Sequence, residues 1–235
     1  MNKSFDAKFS EISGLRWFPW IGDNYESASC KILLVGESVY ATSEDPMESY
    51  DAINSNHDYV RECNVSWWAT CPMEKLKSFP KNTINVLCQE NPFLNDEKFK
   101  SKFWNGIAFT EVVQEAMIDI NQRPSQEQRK EGLKALFKIL DILKPNFVLF
   151  LGNESLKDQF MKKAVRDLNV CFEECQWKES ENVKRNHFRV SSYNQQYPLM
   201  AIPHPSRMLV SDNLKVWHNE IKREFPEIID YFNSL

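Results

Sequence analysis

Two short runs of the chain are apolar almost throughout and end at a glycine. Lys31-Ile32-Leu33-Leu34-Val35 runs into Gly36, and Asn146-Phe147-Val148-Leu149-Phe150-Leu151 runs into Gly152. Neither alternates apolar with polar residues, so both read as strands covered on two faces, as in a parallel sheet. Pro198-Leu199-Met200-Ala201-Ile202 is a third such strand, ending at Pro203-His204-Pro205-Ser206, and Gly106-Ile107-Ala108-Phe109-Thr110 is a fourth, ending at Glu111. Between them, Leu133, Leu136, Phe137, Leu140 and Leu143 recur at three- and four-residue spacing. That period predicts a helix from Ser125, a good N-cap, to Leu143, closed by Lys144-Pro145. The segment from Asn213 to Phe232 also reads as helical, broken or kinked at Pro226. Residues 41 to 100 are polar, with Trp67, Trp68 and Phe79 embedded, and predict short helices and long loops over the sheet edge. The expected architecture is α/β: a single domain over residues 1–235, with a central, mainly parallel four-stranded sheet and helices on both faces.

Composition narrows the classes. The chain has 235 residues, 42% of them hydrophobic and 26% charged, which suits a globular protein rather than a disordered one. Its longest apolar stretches are far too short to cross a bilayer, and Met1-Asn2-Lys3-Ser4-Phe5 leads into no signal-peptide core, so a cytoplasmic location without membrane attachment is expected. The six cysteines (Cys30, Cys63, Cys71, Cys88, Cys171 and Cys175) form no CxxC pair, and reduced structural thiols are the expectation. A formal charge of -4 argues against wholesale coating of nucleic acid. A local basic face can still be built from Lys157, Lys162, Lys163 and Arg166 with Lys184, Arg185, Arg189 and Arg207; the alternative for each is a solvated surface.

The four strand ends carry Gly36-Glu37-Ser38-Val39-Tyr40, Thr110-Glu111, Gly152-Asn153 and His204-Pro205-Ser206. In an open α/β sheet, ligands collect at these carboxyl edges. In order and spacing, the motifs resemble the uracil-DNA glycosylase superfamily over about Ile32 to Leu209. The resemblance rests on Leu34-Val35-Gly36-Glu37, on Thr110-Glu111-Val112-Val113, on Lys144-Pro145 to Gly152, and on His204-Pro205-Ser206 after an apolar strand; Phe103-Trp104 also fits. It implies base excision from DNA, with the base flipped out of the stack.

Hydrolysis of an N-glycosidic bond creates a cation-like sugar and an anionic base, so charge must be stabilised at both ends around a positioned water. By resemblance, Glu37 orients that water and His204 donates to a carbonyl oxygen of the leaving base, while Gly36, Ser38, Tyr40, Glu111 and Ser206 shape the substrate pocket. Other roles are open: Glu37 as a cap of a following helix, His204 as a tether of the Pro205 turn. Ser38 departs from the Asp or Asn of some branches. Tyr40 stands where some members exclude thymine by crowding C5. The stacking aromatic is Tyr50, Tyr59, Trp67 or Trp68, each of which also suits a core.

Glu111 replaces the Asn common at its position. Ionised, it can only accept, and so favours an exocyclic amine over a uracil carbonyl. That points to a modified cytosine in foreign or damaged DNA. The alternatives are that Glu111 is protonated, points away or is out of register. Arg207 is expected to hold a phosphate, and Met208 or Leu209 to fill the gap left by the flipped base.

The expected protein is therefore a monofunctional DNA glycosylase, monomeric, with DNA as its partner and neither metal nor other cofactor. It would serve DNA repair or antiviral defence. The competing classes are a catalytically silent module that binds modified or abasic DNA, and an unrelated α/β enzyme such as a nucleotide hydrolase; no GxGxxG or phosphate loop supports the last.

Overall fold

The computed structural model describes residues 1–41, 45–154, 158–168, 170–173, 176–180, 187–208 and 211–235. Its strands are β1 (Trp20–Ile21), β2 (Ile32–Gly36), β3 (Ala108–Glu111), β4 (Phe147–Leu151), β5 (Gln176–Glu179), β6 (His187–Tyr193) and β7 (Tyr197–Ile202). Its α-helices are α1 (Asp6–Phe9), α2 (Pro46–Ser55), α3 (Ser66–Thr70), α4 (Ser78–Leu87), α5 (Glu97–Asn105), α6 (Gln126–Leu143), α7 (Asp158–Leu168), α8 (Ser211–Glu224) and α9 (Pro226–Asn233).

One sheet takes the order β1-β3-β2-β4-β7-β6-β5. The four strands expected from the apolar runs form its contiguous centre, where β3, β2, β4 and β7 lie parallel. The expected count of four is corrected to seven among the described residues, because β1, β5 and β6 add antiparallel flanks. Their signals in the sequence are weak for physical reasons. β1 has two residues, and β5 is a polar, largely exposed edge. In β6 the side that is most withdrawn from water carries Arg189, Ser191 and Tyr193, so polarity misreports which side is covered.

Each face of the sheet is packed. Ile32, Leu34, Phe109, Leu149, Leu151, Met200 and Ile202 join residues of α3, α4, α5, α8 and α9 in one core. Leu33, Val35, Ala108, Val148, Phe150, Leu199 and Ala201 meet Leu133, Leu136, Phe137, Leu140 and Leu143 of α6 in the other. This alternation along each strand is the period-2 geometry of the pleat. α6 begins as its sequence predicts. The Ser125 side chain accepts from the Gln128 N–H, and the Gln128 side chain returns a bond to the Ser125 N–H, a reciprocal cap that stabilises by about 1 kcal/mol. Lys144, left-handed at φ 48°, ends the helix. The C-terminal segment is helical on both sides of Phe225, and Pro226 takes the first position of α9, where its missing N–H costs nothing. No helix among the described residues is long and apolar enough to cross a membrane. Cys30, Cys63, Cys71, Cys88 and Cys171 are free thiols; Cys175 lies outside the described residues.

Candidate functional site at the carboxyl edge of the sheet

Parallel pairing brings the four motif-bearing strand ends to one edge. Gly36 is in register with Glu111, so Glu111 is not displaced along the loop. The two chains continue side by side beyond their strands: the Val112 N–H donates to Gly36 O at 3.0 Å, the Val113 N–H to Glu37 O at 3.0 Å, and the Met117 N–H to Val39 O at 2.7 Å. The pairing reaches Tyr40, which bridges to Met117.

Gly36 is required here by a close approach. A methyl group at its Cα would overlap Glu111 Oε2 and come within 2.7 Å of Cδ. The missing side chain is what lets a carboxyl group lie against β2. Glu111 is 6% exposed, and its Oε2 is buried without a hydrogen-bond partner. Burial, followed by the neighbouring Glu37 charge, raises its pKa to about 8. At neutral pH Glu111 is therefore a carboxylic acid, which offers one donor and one acceptor. Of the alternatives open for Glu111, this favours the protonated group over the ionised, accept-only one: desolvation outweighs the tendency to ionise, and no cation is paired with this carboxyl among the described residues.

Glu37 has the opposite environment. Arg129 of α6 donates from Nη1 to its Oε1, and the Arg129 side chain is 5% exposed against 17% for Glu37. The buried guanidinium fixes the position of this carboxyl group at the end of β2. No helix directly follows Glu37, so the alternative role as a helix cap is not realised; Asp45 is the residue that caps α2.

His204 follows β7. Its Nδ1 accepts the Ser206 N–H at 3.3 Å and lies 2.7 Å from Ser206 Oγ, which leaves Nε2 as the protonated nitrogen of the neutral ring. The tether to the Pro205 turn is therefore real, and it fixes the tautomer. Burial lowers the His204 pKa to about 4, while Glu37 is near enough to oppose that shift and Arg207 and Arg123 add to it. Glu37 and His204 accordingly sense each other across the edge, with β4 between their strands. Gly152, at the end of β4 with φ 145°, borders His204: a Cβ there would meet Cδ2 at 3.8 Å. Below the turn, Asn82 of α4 donates to Pro205 O at 2.9 Å and Met208 O at 3.2 Å.

The aromatic beside His204 is Phe79 of α4, with ring centroids 4.9 Å apart. Phe79 was embedded in the segment expected to cover the edge, yet it stood outside the stacking candidates. Of those, Trp68 is buried against Phe79, Trp104 and Phe109. The Tyr50 hydroxyl donates to Glu115, and Tyr59 packs on the core. Trp67 is 39% exposed. Tyr40 is half-buried, and its hydroxyl accepts from Arg123 Nη1 at 3.3 Å. Ser38 Oγ is a second buried oxygen without a hydrogen-bond partner.

The DNA-contacting expectations are partly corrected. Met208 is 3% exposed and belongs to the core, so it is not a free wedge. Arg207 is exposed beside the site. Leu209 lies outside the described residues, as do Lys157, Lys184 and Arg185. Arg189 is buried with its guanidinium 3.8 Å above the Trp177 ring, which removes it from a basic face. Lys162, Lys163 and Arg166 are exposed along α7. Arg129, Arg123 and Phe79 are site residues that sequence reasoning missed. Among the described residues, no group of three or more His, Cys, Asp or Glu is arranged to hold a metal ion. No protein-family model matches the chain, and no curated protein matches it.

Proposed function

We propose that this protein is a DNA glycosylase of the uracil-DNA glycosylase type, hydrolysing the N-glycosidic bond of a flipped-out non-standard pyrimidine, uracil or a modified cytosine, to leave an abasic site. The observation that carries the reading is the placement of Glu37, paired with Arg129, and of His204, whose Nδ1 accepts the Ser206 N–H, at the ends of β2 and β7, either side of β4. Glu37, anchored at Oε1 by Arg129, uses its other oxygen to orient the attacking water and to stabilise the cation-like sugar. His204 Nε2–H donates to the oxygen on which the leaving base gathers negative charge. A preorganised donor of this kind lowers the barrier by about 3 kcal/mol. Because the ring is neutral before the reaction, it donates without giving up a proton in the ground state. Phe79 stacks on the extruded base, and Tyr40 closes the pocket near C5. Exposed Arg207 engages a phosphate of the DNA partner. Such an activity serves repair or defence against modified foreign DNA.

A second reading, a silent module that binds modified or abasic DNA, is favoured by Ser38 and by the ion pair that restrains Glu37. A panel of oligonucleotides carrying uracil and modified cytosines, scored for alkali-labile sites under single turnover, separates the two. The enzyme reading requires cleavage at one of these bases; tight binding with no cleavage at any of them supports the module.

A further inference from the structure

Two arginines at the carboxyl edge carry charges that no carboxylate neutralises. Arg61, Arg129 and Arg223 are each paired with an acid. Arg123 and Arg207 are exposed and form no ion pair among the described residues. An exposed arginine is ordinarily a solvated cation of little consequence. What sets these two apart is how and where they are held.

The backbone of Arg123 lies between a closed turn and a capped helix. In the turn, the Gln122 N–H donates to Asp119 O at 2.9 Å, the Asn121 N–H to Asp119 Oδ1 at 2.6 Å, and the Ile118 N–H to Gln122 Oε1 at 2.8 Å. Pro124 is buried, and Ser125 caps α6. The guanidinium donates from Nη1 to the Tyr40 hydroxyl at 3.3 Å and to Ile120 O at 3.5 Å. Both acceptors are neutral, so the group is oriented without its charge being cancelled. Tyr40 belongs to the continuation of β2 beyond Glu37, where the Ala41 N–H donates to Met117 O at 2.8 Å. Its hydroxyl accepts from Arg123 and, as a phenol, also has an O–H to donate.

Arg207 stands on the other side of the site. It lies in the turn that leaves β7, and its N–H donates to His204 O at 2.9 Å. Along the edge, Arg123 is thus anchored on the continuation of β2 and Arg207 on that of β7, with the end of β4 between them. Two strand spacings separate these anchors by about 10 Å. Glu37 and His204 leave the same two strands. Burial is the main cause of the low His204 pKa and Glu37 opposes it, while Arg207 and Arg123 both lower it further, so both charges are felt at the imidazole. Glu37 is engaged by Arg129, and Asp119 forms no ion pair with either arginine.

A nucleotide inside a strand has a matching distribution of charge, with one phosphate before the sugar and one after it. Building on the glycosylase reading, we infer that Arg123 and Arg207 grip the two phosphates that flank the extruded nucleotide, one each, so that the ligand is a nucleotide within a strand and not a free nucleoside or mononucleotide. The Tyr40 O–H joins Arg123 on its phosphate. Held on both sides, the sugar lies across the end of β4, between Glu37 and His204.

The test is equilibrium binding of short single-stranded oligonucleotides with one central 2′-fluoroarabino-uridine or 2′-fluoroarabino-cytidine. The fluorine destabilises the cation-like sugar and keeps the bond intact. In two further versions of each strand, an uncharged methylphosphonate replaces the phosphate immediately 5′ or 3′ of that nucleotide, and a tetrahydrofuran abasic strand is the control. The whole chain and its Arg123→Gln, Arg123→Lys and Arg207→Gln variants are compared, with melting temperature as the check on folding. In wild type either methylphosphonate should weaken binding about fivefold, the upper range for one exposed ion pair. Arg123→Gln should lose about fivefold on the all-phosphate strand and then be indifferent to one of the two methylphosphonates while still sensitive to the other. Arg207→Gln should show the opposite indifference. Each Gln variant should also reduce the slope of log affinity against log salt by about 0.7, and Arg123→Lys, which keeps the charge, should restore it. A structural role or a diffuse field would weaken every strand by one common factor. That additive result, or unchanged affinity in Arg123→Gln, overturns the two-sided grip; the glycosylase reading stands as long as wild type prefers a pyrimidine strand to the abasic one. Absence of that preference in wild type overturns the glycosylase reading, and the inference with it.

Discussion

His204 at the sheet edge is half-buried and His218 on α8 is buried, and each has Nδ1 engaged. His218 is 1% exposed, with Nδ1 3.0 Å from Val86 O, and Nε2 faces Glu90 at 3.7 Å. The same contrast separates two acids. Glu220, also on α8 and 1% exposed, meets Arg223 at 2.6 Å and accepts from Ser180 Oγ at 3.2 Å. Glu111 has no ion-pair partner among the described residues, and its carboxyl lies against Gly36. Around α8, His218 Nδ1 and Glu220 tie one element to another, and His218 Nε2, like Glu111 Oε2, is buried without a hydrogen-bond partner. At the edge, Ser206 holds His204, Arg129 holds Glu37, and the absent Gly36 side chain makes room for Glu111. Buried polar groups are common to both regions; what distinguishes the candidate site is that its polar groups gather at the carboxyl ends of parallel strands, where ligands collect in an open sheet.

The comparison breaks most sharply at the histidines. His204→Asn should reduce release of base by about a hundredfold or more, the effect of losing an aligned donor, without changing the folded structure. His218→Asn should do the reverse, lowering stability by about 1–3 kcal/mol with release per folded molecule unchanged. Single-turnover rates and thermal melting on the two variants check both. Next in size is Gly36→Ala. Its methyl group would displace the Glu111 carboxyl or part β2 from β3, so pocket binding and melting temperature should fall together.

Titration sharpens the difference further. The folded pKa of Glu111 lies above its value of 4.5 in an unperturbed chain. Its contribution to stability is therefore complete below about pH 4.5 and is lost as pH rises through about 8. Denaturant midpoints of Glu111→Gln should fall less across that window than those of wild type. His204 has the opposite sign: its folded pKa is depressed from 6.5 to about 4. The neutral ring stabilises the fold fully above about pH 6.5, and that contribution is lost as pH falls through about 4. His204→Asn should remove this part of the acid sensitivity. The smallest effect is expected near α8. Ser180→Ala removes one bond to Glu220, costing about 1 kcal/mol by denaturant midpoint, and should leave base release untouched.

The central sheet was readable because its four strands are apolar on both faces, and because Leu133 through Leu143 mark one helical face. Gly36, Glu37, Gly152 and His204 were found because each stands where such a run stops, and parallel strands deliver their ends to one edge. Longer-range pairings were not readable in this way. Nothing local to Arg129 says that it reaches Glu37, 92 residues earlier. Phe79 lies in a polar segment whose packing is set by α4 against the sheet, and the ring is no different in sequence from a core residue. The charge state of Glu111 depends on desolvation that only the assembled site creates. Met208 misled for a related reason: it follows a turn where an exposed wedge would fit, but Asn82 draws that turn down onto α4.

The claim on which the account depends is that Glu37 and His204 act on opposite ends of the bond broken in one extruded nucleoside. Single-turnover release of free pyrimidine from uracil- and modified-cytosine-containing DNA, in wild type, Glu37→Gln and His204→Asn, tests it directly. The account predicts release by wild type at one of these bases, a loss of about a hundredfold or more in either variant, and little further loss when both are combined, as expected of groups acting on one transition state. Equal rates in all of the proteins, or no release from any base by wild type that binds it tightly, would contradict it.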